Sequence, residues 1–202
     1  YNQDINNSNI GQYYLYSGKL DKAAENKVVL RDFFVLNRND WESFDDDKEL
    51  YYDNDTYIFD LEEMKQITPE QFFTEHYAVD EDSSYAGRQG LKPWYSYAYT
   101  DGILAIGLQK NMDSLLRQRV TIGTVDRVEE DSLVGKTVIV RDARDWSSRN
   151  EKWMAKTLPV RMRVEKAILI KNDKVISWDE LKPGDDIYSV RDDFEGKFLL
   201  VK

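Results

Sequence analysis

Apolar residues recur along the chain in short runs that are rich in β-branched and aromatic side chains. Four of them are Val28–Leu36, Thr137–Val140, Val164–Ile170 and Phe198–Val201. Runs of this length and composition, separated by polar turn residues, are typical of β-strands. The pattern therefore predicts a mainly β fold with only short helices.

Six blocks of sequence occur twice, in the same order, in the two halves of the chain. In each half the second block ends in Arg-Asp and is followed by a tryptophan, Trp41 or Trp146. The first-half blocks begin at Gly18, Val28, Asn54, Glu63, Tyr77 and Asp101, and their counterparts begin at Gly123, Val138, Asn172, Glu180, Tyr188 and Glu195. Self-similarity of this kind predicts a tandem duplication with loops of unequal length.

Helix-start signals are few. Ser177 and Glu180 have the spacing of a capping box, and Asp60–Glu63 has a similar arrangement in the first half. Thr68–Gln71 has the features of a further helix start, with Phe72 in the helix that follows. We therefore expect one or two short helices in each half.

The second half resembles a known family. Ala167–Ile176, followed by Trp178–Asp185 with its Leu-Lys-Pro-Gly-Asp turn and a last strand, is similar to OB-fold-type barrel domains of exported and lipid-anchored proteins of Gram-positive bacteria. The resemblance covers residues 119–202 and extends to residues 12–110 only through the repeat. It implies two duplicated small OB-like β-barrels.

The chain is therefore expected to have three parts. We expect a flexible leader over residues 1–11, a first OB-like barrel over 12–115 and a second OB-like barrel over 116–202. The first barrel is expected to carry an aromatic-rich insert at 83–100, because the two halves differ in length there.

Charge separates the two halves. The whole chain has a net charge of −10, but residues 1–115 carry −12 and residues 116–202 carry +2. An acidic chain is a poor match to phosphate backbones, so nucleic acid is an unfavoured partner. No apolar run is long enough for a membrane span.

The first residues are polar. The chain begins at Tyr1 and continues with a segment rich in asparagine, which has too little apolar content to pack. An exported protein whose signal peptide has been removed would begin in this way, and so would a trimmed end. The expected location is therefore secreted or at the cell surface, with a lipid anchor upstream of Tyr1 as one form of attachment.

The expected insert is the first candidate binding site. It contains Tyr85, Arg88, Trp94 and Tyr95 among further tyrosines. Aromatic side chains with an arginine on a connecting segment can stack against a sugar, a base or a peptide. The alternative is that alternating tyrosines belong to a strand and that Trp94 fills one end of a barrel.

The second candidate site is the basic stretch 141–166. Its cations are interleaved with tryptophans, and the central residues are Arg144, Trp146, Arg149 and Trp153. Grooves of OB-type barrels combine these residue types. The stretch could meet an acidic partner or single-stranded nucleic acid, or it could simply be a solvated face.

Catalytic and metal-binding patterns are weak. The chain has one histidine, His76, and no cysteine, which removes thiolate metal sites and a cysteine nucleophile. The acids Asp45–Asp47 and Asp53–Asp55 do not have the spacing of an EF-hand loop. We expect no cofactor, metal or catalytic residue, although paired carboxylates of a glycan hydrolase remain an alternative. The sequence favours a non-enzymatic binding or scaffolding protein whose ligand is a glycan, a peptide or another protein.

Overall fold

The computed structural model describes residues 15–74, 77, 94–111, 114–133 and 135–202. The chain divides into two domains, Tyr1–Asp113 and Ser114–Lys202, and each domain contains one β-sheet. The predicted mainly β fold and two-domain organisation are confirmed. No helix in the described part of the chain is long and apolar enough to cross a membrane.

The sheet of the first domain has eight strands within the described residues. They are β1 (Leu15–Ala23), β2 (Lys27–Asn37), β3 (Asp40–Ser43), β4 (Asp47–Tyr51), β5 (Tyr57–Asp60), β6 (Lys65–Ile67), β7 (Tyr95–Tyr99) and β8 (Ala105–Gln109). Their order is β3-β2-β1-β7-β8-β5-β6, and β4 pairs with β2. Helix α1 (Pro69–Thr74) follows β6.

In the described part of the second domain the sheet also has eight strands. They are β9 (Arg119–Asp131), β10 (Gly135–Ser147), β11 (Lys152–Ala155), β12 (Val160–Arg163), β13 (Ile168–Lys171), β14 (Lys174–Val175), β15 (Asp186–Asp192) and β16 (Glu195–Val201). Two single-turn 3₁₀ helices, Leu115–Arg117 and Trp178–Glu180, complete the described elements of this domain.

The two sheets have the same plan. The order of the second is β11-β10-β9-β15-β16-β13-β14, which is the order of the first with each strand replaced by its counterpart. In both, one pair inside this order is parallel, β5 with β8 and β13 with β16. In the second domain β12 pairs with β10 along four residue pairs and meets β16 at one, Arg163 with Glu195. The shared plan supports the duplication.

Matching irregularities occur in the first strand pair of each domain. The β1–β2 and β9–β10 registers both shift beside an Arg-Asp pair, and Asp32 and Asp142 have positive φ values of 50° and 53°. Gly18 and Gly123 lie opposite these bulges, where the neighbouring strand approaches closely. The sequence matches at Gly18 and Val28 are therefore structural equivalences.

The close approach at Gly123 predicts a difference between the two copies. A Cβ atom there would lie 2.4 Å from Val140 Cγ1 and 3.0 Å from the Arg141 carbonyl oxygen, whereas at Gly18 the nearest atom, Leu30 Cβ, would be 3.2 Å away. Gly123→Ala is therefore expected to cost about 1–3 kcal/mol of unfolding free energy through overpacking, and Gly18→Ala distinctly less. Urea denaturation of both variants measures the difference, and equal losses would refute this account of the bulge.

Each domain has its own apolar core. In the first, alternate residues of β2, Val28 and Leu30, point inward, and Phe72 of α1 packs beside them. In the second, Val138 and Val140 of β10 have the same role. The period of two is the one expected for strands with one face against a core.

Three of the six sequence matches are wrong. Asn54 precedes β5 and Asn172 lies between β13 and β14, so the two turns are not equivalent. Glu63 lies in the turn before β6, while Glu180 belongs to a 3₁₀ helix. Tyr188 of β15 has its counterpart in β7 rather than at Tyr77. Short polar turns and single tyrosines are too common to fix an alignment once loop lengths differ.

The short helices agree with the sequence in two places and differ in one. Thr68 and Gln71 exchange backbone-to-side-chain hydrogen bonds at the start of α1, and the Ser177 N–H donates to the Glu180 carboxylate at 2.9 Å. The helix expected over Asp60–Glu63 is a turn, in which the Asp60 carboxylate accepts the backbone N–H groups of the turn. An aspartate can close such a turn as readily as it caps a helix.

Residues 95–99 of the expected insert 83–100 form β7. This strand lies between β1 and β8 at the centre of the first sheet, in the position that β15 has in the second. That part of the aromatic-rich stretch therefore belongs to the sheet. Tyr97 and Tyr99 are buried in it.

Candidate functional site

The hairpin formed by β10 and β11, residues 144–155, brings together the candidates of the basic stretch. The first half of β10 pairs with β12, and its last residues pair with β11. The turn at 148–151 is closed by a hydrogen bond from the Asn150 N–H to Ser147 Oγ, at 3.1 Å. Glu151 has a φ of 51°, which fits a tight reversal. The long strand β10 thus carries the hairpin beyond its pairing with β12.

Two tryptophans face each other across this hairpin. Trp146 and Trp153 are paired residues, and their rings lie 5.3 Å apart at an angle of 69°. Edge-to-face pairs of this kind contribute about 0.5–1.5 kcal/mol beyond the area they bury. Both side chains are only half-buried. They form a preorganised aromatic surface that still has area to offer a ligand.

Exposed cations surround the tryptophan pair. Arg144 precedes Trp146 by two residues and so lies on the same face of β10. Arg149 is in the turn, and Lys152 begins β11. Within the described residues no ion pair is formed by Arg144, Arg149 or Lys152.

Four other cations of the stretch 141–166 form ion pairs, whereas Lys166 is exposed and forms none within the described residues. The ion pairs are Arg141 with Asp142 at 2.9 Å, Lys156 with Asp145 at 3.7 Å, Arg161 with Glu129 at 2.7 Å and Arg163 with Glu195 at 2.9 Å. Arg127 hydrogen-bonds Glu129 as well, which lowers the pKa of that carboxyl. The hydrogen bond to Glu129 also raises the pKa of Arg127. Three of the four cations of this stretch without an ion pair to any described residue, Arg144, Arg149 and Lys152, therefore lie on the hairpin, where Glu151 is the exposed acid.

A buried ion pair holds the base of the hairpin. The Arg191 Nη2 of β15 lies 3.0 and 2.9 Å from the two carboxylate oxygens of Asp145, and Arg191 Nε donates to Thr121 Oγ1 at 2.7 Å. The Thr121 hydroxyl in turn donates to Asp145 at 2.6 Å. Arg191 is 8% exposed. The network joins β9, β10 and β15 at Asp145, the residue before Trp146, so the hairpin is fixed to the sheet.

The two described candidates of the first domain, Trp94 and Tyr95, lie in different surroundings. Trp94 packs against the core, with its ring 4.8 Å from that of Tyr77 and Lys110 above it at 5.5 Å. Tyr95 lines a separate cavity of about 340 Å³ together with Gln109. Tyr85 and Arg88 lie outside the described residues. The packing alternative for Trp94 agrees with this placement.

The acidic loops have internal roles in turn formation. Asp53 accepts hydrogen bonds from the Asp55 N–H and the Thr56 hydroxyl, and Asp46 accepts the Asp47 N–H. Among the described residues, no group of three or more acidic or histidine side chains could hold a metal ion.

The chain was compared with known protein families, with curated proteins and with solved structures, and no significant match was found. The structure itself defines the class as a protein of two β domains with the same strand order, the second of which carries a cationic, tryptophan-bearing hairpin.

Proposed function

We propose that this chain is a non-enzymatic binding or scaffolding protein, and that the β10–β11 hairpin binds an acidic segment of a partner protein. The observation that carries the proposal is the location of the uncompensated cations. Arg144, Arg149 and Lys152 are exposed on the hairpin that carries the half-buried tryptophan pair, while neighbouring cations are paired with acids. Arginine and tryptophan are the residues that most often dominate binding energy at protein interfaces.

We further propose that each domain is an OB-like barrel. The ring of pairings β9-β10-β12-β16-β15-β9 in the second domain supports this, although the contact between β12 and β16 is a single residue pair. In barrels of this type the second and third strands carry the ligand-binding face. By position in the chain and in the ring these are β10 and β12, and the hairpin extends the first of them.

Rigidity favours binding by this hairpin. The Arg191–Asp145 pair and the cross-strand tryptophans hold the part of the hairpin backbone that carries the cations before a ligand arrives. A preorganised surface loses less conformational entropy on binding than a mobile loop does. The acidic partner would gain ion pairs without breaking existing ones at Arg144, Arg149 or Lys152.

A binding titration with matched arginine variants tests the proposal. The full chain is titrated into a fluorescein-labelled polyglutamate peptide at low salt. Arg144→Ala and Arg149→Ala should each weaken binding roughly fivefold to tenfold, a loss of about 1–1.4 kcal/mol. Arg161→Ala removes the same charge from an exposed position that is already paired with Glu129, and it should have little effect. Equal losses in all three variants, or no binding, would refute the assignment.

Single-stranded nucleic acid is the second candidate, and the tryptophan pair is the observation that favours it. Bases stack on aromatic side chains, and cations track the phosphates. Tighter binding of oligothymidylate than of polyglutamate, with a strong loss in Trp153→Ala and a steep salt dependence, would establish this function in place of the first.

A further inference from the structure

The outer edge of β11 is open. This strand ends the second sheet, and within the described residues it pairs only with β10. Residues 154–159 are all exposed. An open edge strand presents backbone N–H and C=O groups that can pair with another extended chain.

The register shows which backbone groups point outward. Just beyond the last residue pair, the Lys156 N–H donates to the Ala143 carbonyl at 2.8 Å. Backbone bonding alternates along an antiparallel pair, so Lys152 and Met154 also direct their N–H and C=O groups towards β10. The groups of Trp153 and Ala155 point away from β10, towards the open edge.

The side chains of β11 divide between two faces. Trp153 and Ala155 lie on one face, and Lys152 and Met154 lie on the other, with Lys156 following them. Lys156 is 3.7 Å from Asp145, whose carboxylate is already bound by Arg191 at 2.9 Å. One face of β11 therefore carries the lysines, and the other carries Trp153, on the same side of the hairpin as Arg144 and Trp146.

We infer that β11 binds its acidic partner by strand addition. An extended segment pairs with the outward backbone groups of Trp153 and Ala155. Its acidic residues, at alternate positions, face Lys152, which forms no ion pair within the described residues, and Lys156, whose contact with Asp145 is a long one of 3.7 Å. Its intervening residues are apolar and face Trp153.

This inference rests on the proposed function and adds the conformation and residue pattern of the partner. Opposite charges and aromatic with β-branched residues are favourable cross-strand pairs. Main-chain hydrogen bonds supply affinity in strand addition, while alternate side chains supply selectivity. An acidic segment without alternating apolar residues would pair with the lysines but would make no apolar contact with Trp153.

The first experiment changes the ligand and leaves the protein intact. The full chain is titrated with a peptide of alternating glutamate and valine, and with the same peptide N-methylated at the amides of every second residue. Methylation in the register that bonds to Trp153 and Ala155 should weaken binding roughly tenfold or more, because it removes two or more backbone hydrogen bonds. A peptide of the same composition in scrambled order should also bind more weakly.

The second experiment changes the edge of the protein. Ala155→Pro removes an N–H that points away from β10, and proline is tolerated on edge strands in this orientation. Ala155→Val keeps the N–H and serves as the control. The proline variant should lose affinity for the alternating peptide roughly tenfold, and the valine variant should bind as the unchanged protein does.

The outcomes separate the two proposals. Loss of binding on N-methylation and in Ala155→Pro supports strand addition. Binding that requires Arg149 but is equally strong for the methylated and scrambled peptides overturns strand addition and leaves the acidic-partner function intact. Binding that is indifferent to Arg149, or preference for oligothymidylate, overturns both.

Discussion

The Arg191→Met variant is expected to lose about 3–5 kcal/mol of the unfolding free energy of the second domain, because it leaves the Asp145 carboxylate partly buried without its main partner. The guanidinium binds both oxygens of that carboxylate at 3.0 and 2.9 Å, and methionine can donate to neither. Lys156, at 3.7 Å, is too distant to replace it. Urea denaturation followed by peptide-resolved hydrogen exchange measures the loss and assigns it to a domain.

Two controls accompany this variant. Arg117→Met breaks an exposed ion pair with Asp192, and it should cost less than about 1 kcal/mol. Replacing both partners, as in Arg191→Met with Asp145→Leu, should restore part of the lost stability, because no buried charge then remains. A loss in Arg191→Met as small as that in Arg117→Met would refute the role given to this network.

The Phe72→Ala variant is expected to destabilise the first domain by about 3–5 kcal/mol, the usual cost of removing a buried phenylalanine. Phe72 is completely buried and packs edge-on against Tyr52, with ring centroids 5.2 Å apart. Burial also raises the pKa of Tyr52, whose hydroxyl donates to the Ala24 carbonyl. The phenylalanine thus connects α1 to the centre of the core.

The neighbouring residue provides a matched control for this change. Phe73 lies in the same helix and is 44% exposed, so Phe73→Ala makes the same chemical change with much less burial lost. Its cost should be about 1 kcal/mol or less. Similar urea midpoints for the two variants would show that α1 does not anchor the core in the way described.

The sequence predicts the fold class and the two-domain organisation because those depend on signals spread over many residues. Three of the four strand-length apolar runs, the Gly18 and Gly123 blocks and the capping box at Ser177 are found in the structure. The run Val164–Ile170 is not one strand, because only residues 168–170 belong to β13 and residues 164–167 form the turn before it. Single-residue matches fail where loops differ. Trp41 of β3 pairs with Leu36 of β2, and Trp153 of β11 pairs with Trp146 of β10. Because β3 has the position of β11 in the sheet, the structural counterpart of Trp41 is Trp153 and not Trp146, to which the repeat matched it.

The sequence predicts the candidate site only in part. The interleaving of cations and tryptophans is visible, but the separation of paired from unpaired cations depends on Glu129 and Glu195, which come from other strands. Asp145 and Arg191 are 46 residues apart, and no local pattern connects them. The open edge of β11 likewise follows from sheet order, which local periodicity does not determine.

The common strand plan of the two domains creates a folding hazard that the buried ion pair counters. Tandem domains with matching strands can exchange them during folding. Val35 of β2 pairs with Tyr16 of β1, and Asp145 of β10 pairs with Thr121 of β9, so Val35 is the structural counterpart of Asp145. If β2 entered the second sheet in place of β10, Arg191 would be buried beside valine with no carboxylate to receive it. The exchanged sheet would therefore be less stable than the native one, because Arg191 would lose its carboxylate partner.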